Sequence, residues 1–244
     1  PLSLLIRRSP ESMGLLPDGA RAPEPSATQP QLEDTDSNSI ASGPATVDFT
    51  LKESLRTPSY WLIVLSTSVR YLVIGGIHLH WVPIFVWKGY SEVAGATFIG
   101  FSALVATPLI VLNGYLGDRF SKRFILMSGH SALLVAMFIL IYADSILLMY
   151  AFAALFAYGE GVSPTNYSII GEYFGRGIFA RLRGLLTTFT TVAIFSPVYI
   201  GWVYDRTLDY TPALFTYAGI AAFGVFILLF LVKPKKKVPV AESS

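Results

Sequence analysis

The chain has 244 residues, of which 53% are hydrophobic and 14% charged, with a net charge of +2 and no cysteine. Soluble domains carry about 25% charged residues, and the absence of cysteine excludes disulfide scaffolds, thiolate metal sites and cysteine nucleophiles. The charge balance gives no signal for nucleic acid, and none is expected as a partner.

Residues 1–8 begin with Pro1 rather than methionine and read as the end of a preceding transmembrane helix, cut by Arg7 and Arg8; the sequence is taken as a fragment without a secretory signal of its own. Residues 9–57 change regime. Proline, serine, aspartate and glutamate dominate up to about Val47, too polar to bury a core, so this stretch is expected to be a linker. At its end Thr50 and Glu53 have capping-box spacing, which suggests a short surface helix before Pro58, with a frayed loop as the alternative.

Residues 58–232 form the apolar part. A helix needs about 20 apolar residues to cross a bilayer core of about 30 Å. Six segments meet that length: Pro58 to Trp87, Val93 to Leu116, Phe124 to Ala143, Ile146 to Ile170, Leu185 to Tyr204 and Pro212 to Val232. The runs are continuous and far longer than a barrel strand, so the expected class is an all-α membrane protein. Residues 233–244 are a tail. Of the 18 basic residues, only Lys88 and Arg206 fall in the loops of one membrane face, and Arg70 lies inside the first span. The rest gather on the other face, so both ends of the chain are expected to be cytoplasmic, in a plasma or inner membrane.

The second and fifth segments end alike: Gly114-Tyr-Leu-Gly-Asp118-Arg119 is echoed by Gly201-Trp-Val-Tyr-Asp205-Arg206, and Pro108 and Pro197 precede them. Equivalent helices ending on opposite faces are what a three-plus-three inverted repeat requires. The continuation Phe120-Ser121-Lys122-Arg123 completes a loop that resembles the G-x-L-x-D-R-x-G-R-R signature of the major facilitator superfamily, departing from it at Ser121. His80-Trp81-Val82-Pro83 and Glu172-Tyr173-Phe174-Gly175-Arg176 with Gly184 are similar to the monocarboxylate and oxalate–formate type branch, while Asp205-Arg206-Thr207 and Tyr210 to Phe215 resemble the family's link into the last helix. The resemblance implies the C-terminal half of a twelve-helix transporter. The 9–57 stretch would then link the halves, and a six-helix N-terminal half would be a partner.

Several residues are candidates for the chemistry. At the loop, Gly114, Asp118, Arg119, Lys122, Arg123, Glu172 and Arg176 are expected to form a cytoplasmic gate. Asp118 would accept helix-start N–H groups and Arg119 would pair with acids such as Glu172. The competing reading is that these charges set topology and touch anionic headgroups. Inside the membrane a charge costs at least about 2.5–3.5 kcal/mol, so Arg70 and Glu160 need partners or a function. Arg70, with Tyr71, His78 and Asn166, is expected to bind the carboxylate of a small organic anion. Glu160, with His80, would be its charge partner or carry a coupling proton, and a buried structural pair is the alternative. His78 and His80 point to opposite sides of Arg70 at 100° per residue. Asn113 and Tyr167 line a path or join helices, and His130 is given no role.

No Walker loop, zinc H-E-x-x-H or nucleophile elbow is present, so no enzyme, metal or cofactor is expected. The expected activity is alternating-access transport of small organic anions such as monocarboxylates, by proton symport or anion exchange. A six-helix channel or a nontransporting receptor on a transporter-like fold is the alternative.

Overall fold

The computed structural model describes residues 49–235. The expected helix end at 1–8, most of the 9–57 linker and the last part of the 233–244 tail lie outside the described residues. Among the described residues every regular element is helical.

A short helix, α1 (Leu51–Leu55), opens with a complete capping box. Thr50 Oγ1 accepts from the Glu53 N–H, and the Glu53 carboxylate accepts from the Thr50 N–H at 2.7 Å. Pro58 then starts α2 (Pro58–Trp87), where its missing N–H costs nothing. The next helices are α3 (Glu92–Arg119) and α4 (Lys122–Tyr142). Two further spans are segmented. The fourth consists of α5 (Ile146–Gly161) and α6 (Ser163–Phe174). The fifth consists of α7 (Phe179–Thr190), a 3-10 turn (Thr191–Phe195) and α8 (Ser196–Thr207). Finally α9 (Thr211–Leu229) crosses back. Taken as whole spans, these are six helices long and apolar enough to cross a membrane.

The boundaries move where charge had masked helix. The fifth span begins at Phe179 rather than Leu185, because Arg181 and Arg183 sit on helical turns instead of in a loop. The second runs on to Arg119, so Asp118 and Arg119 form its last turn. The two G-x-x-x-D-R segments therefore both close helices, α3 and α8. Their prolines behave differently. α3 continues through Pro108, whereas Pro197 stands in the first turn of α8, after the helix has tightened into a 3-10 turn.

Packing centres on α2 and α4. α4 lies against α5 and α9, α3 against α5, and α2 against α8, α9 and the 3-10 turn. One core gathers Trp81, Phe85, Phe98, Phe152 and Phe156, a run of aromatic pairs with ring centroids 4.7–6.0 Å apart. A second core, with Tyr60, Ile169, Phe174, Leu182 and Leu228, lies toward the Glu172 end of the bundle. Burial is uneven: 61% of the most apolar window of the first span is buried, against 17% in the second and 22% in the fifth. The two spans carrying the repeated motif are thus the two that leave most apolar surface uncovered.

Trp87, Tyr204 and Tyr210 cluster at the Lys88 face, with Tyr204 stacked on Tyr210 at 4.2 Å. Lys88 lies over Trp87, and burial holds its ammonium below the ordinary lysine value, partly offset by Asp144 at 3.9 Å.

Candidate functional site

The break in the fourth span organises the interior. Pro164 has no N–H, so the Glu160 carbonyl four residues earlier loses its helical donor. The side chain of Ser163 replaces it at 2.6 Å. Arg70 of α2 also reaches the break: its Nη1 donates to the Gly159 carbonyl at 3.0 Å and to the Glu160 carbonyl at 3.4 Å. With the Asn166 amide oxygen turned toward it, Arg70 further donates from Nη2 at 2.7 Å and from Nε at 3.3 Å. Its guanidinium carbon lies 4.9 Å from the Tyr71 ring centroid. Arg70 is fully buried. Its hydrogen bonds go to main-chain carbonyls, Asn166 and the Tyr71 side chain, not to the Glu160 carboxylate.

That carboxylate turns the other way, toward His78, with His78 Nε2 and Glu160 Oε2 3.7 Å apart. Both line a hollow of about 590 Å³ between α2, α3 and the broken span, together with Trp81, Ser102, Ser163 and Tyr167. Helical register separates the histidines as the sequence indicates. His78 faces this hollow, while His80 faces α8 and Tyr210, close enough that a side-chain carbon on Gly201 would sit 3.4 Å from its Nε2. Tyr71 and Tyr167 share a hydrogen bond of 3.2 Å. Asn113 is fully buried beside Gly161, and neither of its amide atoms has a hydrogen-bond partner among the described residues.

Two participants escape the sequence reading. His130 is fully buried, with Nδ1 2.9 Å from the Leu126 carbonyl and Nε2 3.2 Å from the Ser66 carbonyl. It joins α4 to α2, and Gly224 of α9 packs directly on its ring. A lone histidine in an apolar run gives no sign of such carbonyl partners. Arg183, one of the charges counted for topology, lies 4.3 Å from the Tyr167 ring centroid.

At the Glu172 end, Lys122 donates to Glu172 at 2.7 Å and Lys233 lies 3.8 Å from the same carboxylate. Arg123 donates to the Leu229 carbonyl at 2.5 Å. Glu172 thus takes Lys122 where Arg119 was expected, because Lys122 opens α4 facing α6 while Arg119 ends α3 on an exposed side, over Tyr115 at 4.4 Å. Asp118, Arg176 and Gly114 are exposed. Nothing lies within 4 Å of where a Gly114 side chain would begin. The ties at this end join α4, α6, the end of α9 and the segment after it.

No cluster of metal-ligating side chains occurs among the described residues. Comparison with known proteins gives two results. A protein from Bacillus subtilis described as "Probable galactarate/D-glucarate transporter GudP" is 24% identical over 172 residues, which is 66% of this chain and 38% of that relative. The chain therefore spans well under half the length of the curated relative it matches. The family model described as Major Facilitator Superfamily matches residues 4–195 and again 93–244. With six apolar spans, two of them closing on the same motif, and a family match covering nearly its whole length, the chain belongs to the Major Facilitator Superfamily.

Proposed function

We propose that this chain forms one half of an alternating-access carrier for small organic anions, driven by protons taken up at the His78–Glu160 pair. The observation that carries the reading is that this pair faces a hollow beside a broken helix, the setting in which carriers of this architecture hold substrates and ions. With His78 neutral and Glu160 ionised the hollow carries one negative charge. An anion about 5 Å from that charge is repelled by roughly 3 kcal/mol at an effective dielectric of about 20. One proton on the pair cancels the charge and a second makes it positive. Proton uptake thereby strengthens anion binding, on top of the fixed positive potential of Arg70, and such mutual reinforcement is the thermodynamic content of symport.

Arg70 supports this from beneath the hollow. Its buried cation adds positive potential and orients Asn166, while Ser102, Ser163 and Tyr167 offer hydroxyls to the substrate. The hollow is large enough for a sugar acid as well as for a monocarboxylate, and the Bacillus subtilis relative is described as a transporter of two sugar diacids. The second and fifth spans, with most of their apolar surface uncovered, would meet the companion six helices, with Asp118 and Arg119 reaching toward that half. The gathering of basic residues on one face supports a cell-membrane carrier with both ends of the chain on the cytoplasmic side.

The test uses the full-length transporter in proteoliposomes with labelled lactate, gluconate and glucarate. Counterflow of at least one acid is expected, with accumulation when the outside is acidified. Glu160→Gln should retain counterflow and lose most of the gradient-driven accumulation, at least tenfold. Accumulation equal to the unsubstituted protein would sink the coupling role, and absence of counterflow for every acid would sink the carrier.

A further inference from the structure

Arg183 sits in α7, near the basic face, where an arginine that only sets topology would extend toward the headgroups. It lies instead over the face of Tyr167, 4.3 Å from the ring centroid, while staying exposed on its other side. It makes no ion pair among the described residues, where Glu160, Asp144 and Glu172 pair with His78, Lys88, Lys122 and Lys233 instead. Tyr167 is the shared wall of two hollows. On one side is the His78–Glu160 hollow; on the other is a second of about 330 Å³, lined by Tyr71, Tyr167, Thr187, Thr190 and Thr191 among others.

The second hollow has a definite chemistry. Thr187 Oγ1 donates to the Arg183 carbonyl at 3.0 Å, and Thr190 and Thr191 donate to the Thr187 carbonyl at 2.8 and 3.2 Å. With those hydrogens committed to the backbone, the threonine oxygens offer lone pairs, which suit the hydroxyl groups of a ligand. Tyr71 and Tyr167 share one hydrogen between their oxygens, so one phenolic O–H is left to donate. Arg183 is not itself a lining residue; it flanks the hollow from over its Tyr167 wall, where it supplies the planar cation that a carboxylate needs. Glu160 and Tyr167, on either side of the break, both line the first hollow, and Tyr167 also lines the second.

We infer that Arg183 binds the second carboxylate of a hydroxylated dicarboxylate whose first carboxylate lies in the His78–Glu160 hollow, the carbon chain passing Tyr167. This rests on the anion-carrier reading above and narrows it to diacids. Arg183 then selects between substrates that differ at the far end only.

D-gluconate and D-glucarate make that comparison, since they differ by one terminal carboxylate. In the full-length protein in proteoliposomes, the readout is the glucarate-to-gluconate ratio of kcat/KM, which cancels differences in the amount of inserted protein. Arg183→Gln is expected to lower the ratio at least tenfold, mainly through the KM for glucarate. Arg183→Lys, which keeps the charge but loses the planar fork, should lower it about threefold and serves if the glutamine variant fails to insert. A ratio within twofold of the unsubstituted value in both variants, or transport of gluconate without glucarate, overturns the Arg183 subsite and leaves the carrier standing. Transport of neither acid by the unsubstituted protein overturns both readings.

Discussion

At the scale of single residues, close approach is set by glycine. A side-chain carbon on Gly76 would lie 2.1 Å from Tyr217 Oη and 2.7 Å from Ser196 Oγ. Those two hydroxyls are 2.7 Å apart, and Ser196 Oγ also bonds the Leu72 carbonyl. The knot ties α2, α8 and α9 together, and a methyl group there has nowhere to go. Gly76→Ala should destabilise the protein by about 1–3 kcal/mol, as overpacking does. Gly114→Ala, with open space around it, should change stability by less than about 0.5 kcal/mol. Thermal unfolding of both variants in detergent measures the contrast, and equal effects would refute the packing account. The sequence flagged Arg70 and Glu160 because intramembrane charge is costly. It could not say which atoms they bond, since Arg70 is held by carbonyls that only the local break exposes. His130 was missed for the same reason: its partners are main-chain oxygens.

At the scale of elements, length and hydropathy made all six spans legible, and the ends drifted only where helical arginines resembled a loop. The segmentation was less legible. Pro164 follows two glycines and breaks its span, while α3 runs through Pro108 as one helix, so proline alone does not decide. What differs is the repair. The fourth span has Arg70, Ser163 and Asn166 to satisfy or support the freed groups. This predicts a coupling. Arg70→Met should cost several kcal/mol, because buried carbonyls and Asn166 lose their donors. In a Pro164→Ala background, where the backbone N–H returns, the same substitution should cost about 1 kcal/mol less. A double-mutant cycle on unfolding stability reads that difference, and strict additivity would show that Arg70 does not serve the break.

At the scale of the whole molecule, six crossings place the start of α2 and the end of α9 on one face. The short connections near Lys88, Asp144 and Asp209 lie on the other. These 244 residues hold no cysteine, so a cysteine introduced here is the one labelling site within them, and the unsubstituted protein serves as the background control. The Asp144 side chain is 98% exposed, and Arg176 is exposed at the opposite end. With the proposed orientation, a membrane-impermeant maleimide should label Asp144→Cys from outside the cell and Arg176→Cys only in inverted vesicles. The reverse pattern would overturn the cytoplasmic placement of the ends. The family was readable from the loop at Asp118, but the substrate was not. In the proposed reading selectivity depends on the arrangement around Tyr167, whose two hollows join residues of α2, α3, α5, α6, α7 and the 3-10 turn.

The way the fourth span is mended has a mechanical consequence. An unbroken helix resists bending because each turn is fastened to the next by short, stiff backbone links. Between α5 and α6 the fastening passes through the long side chain of Arg70 and the hydroxyl of Ser163. Such tethers swivel over several degrees without letting go, so the joint is compliant in angle yet strong against being pulled apart. A hollow floored by that joint can change its width while the carbonyls freed at the break keep their donors.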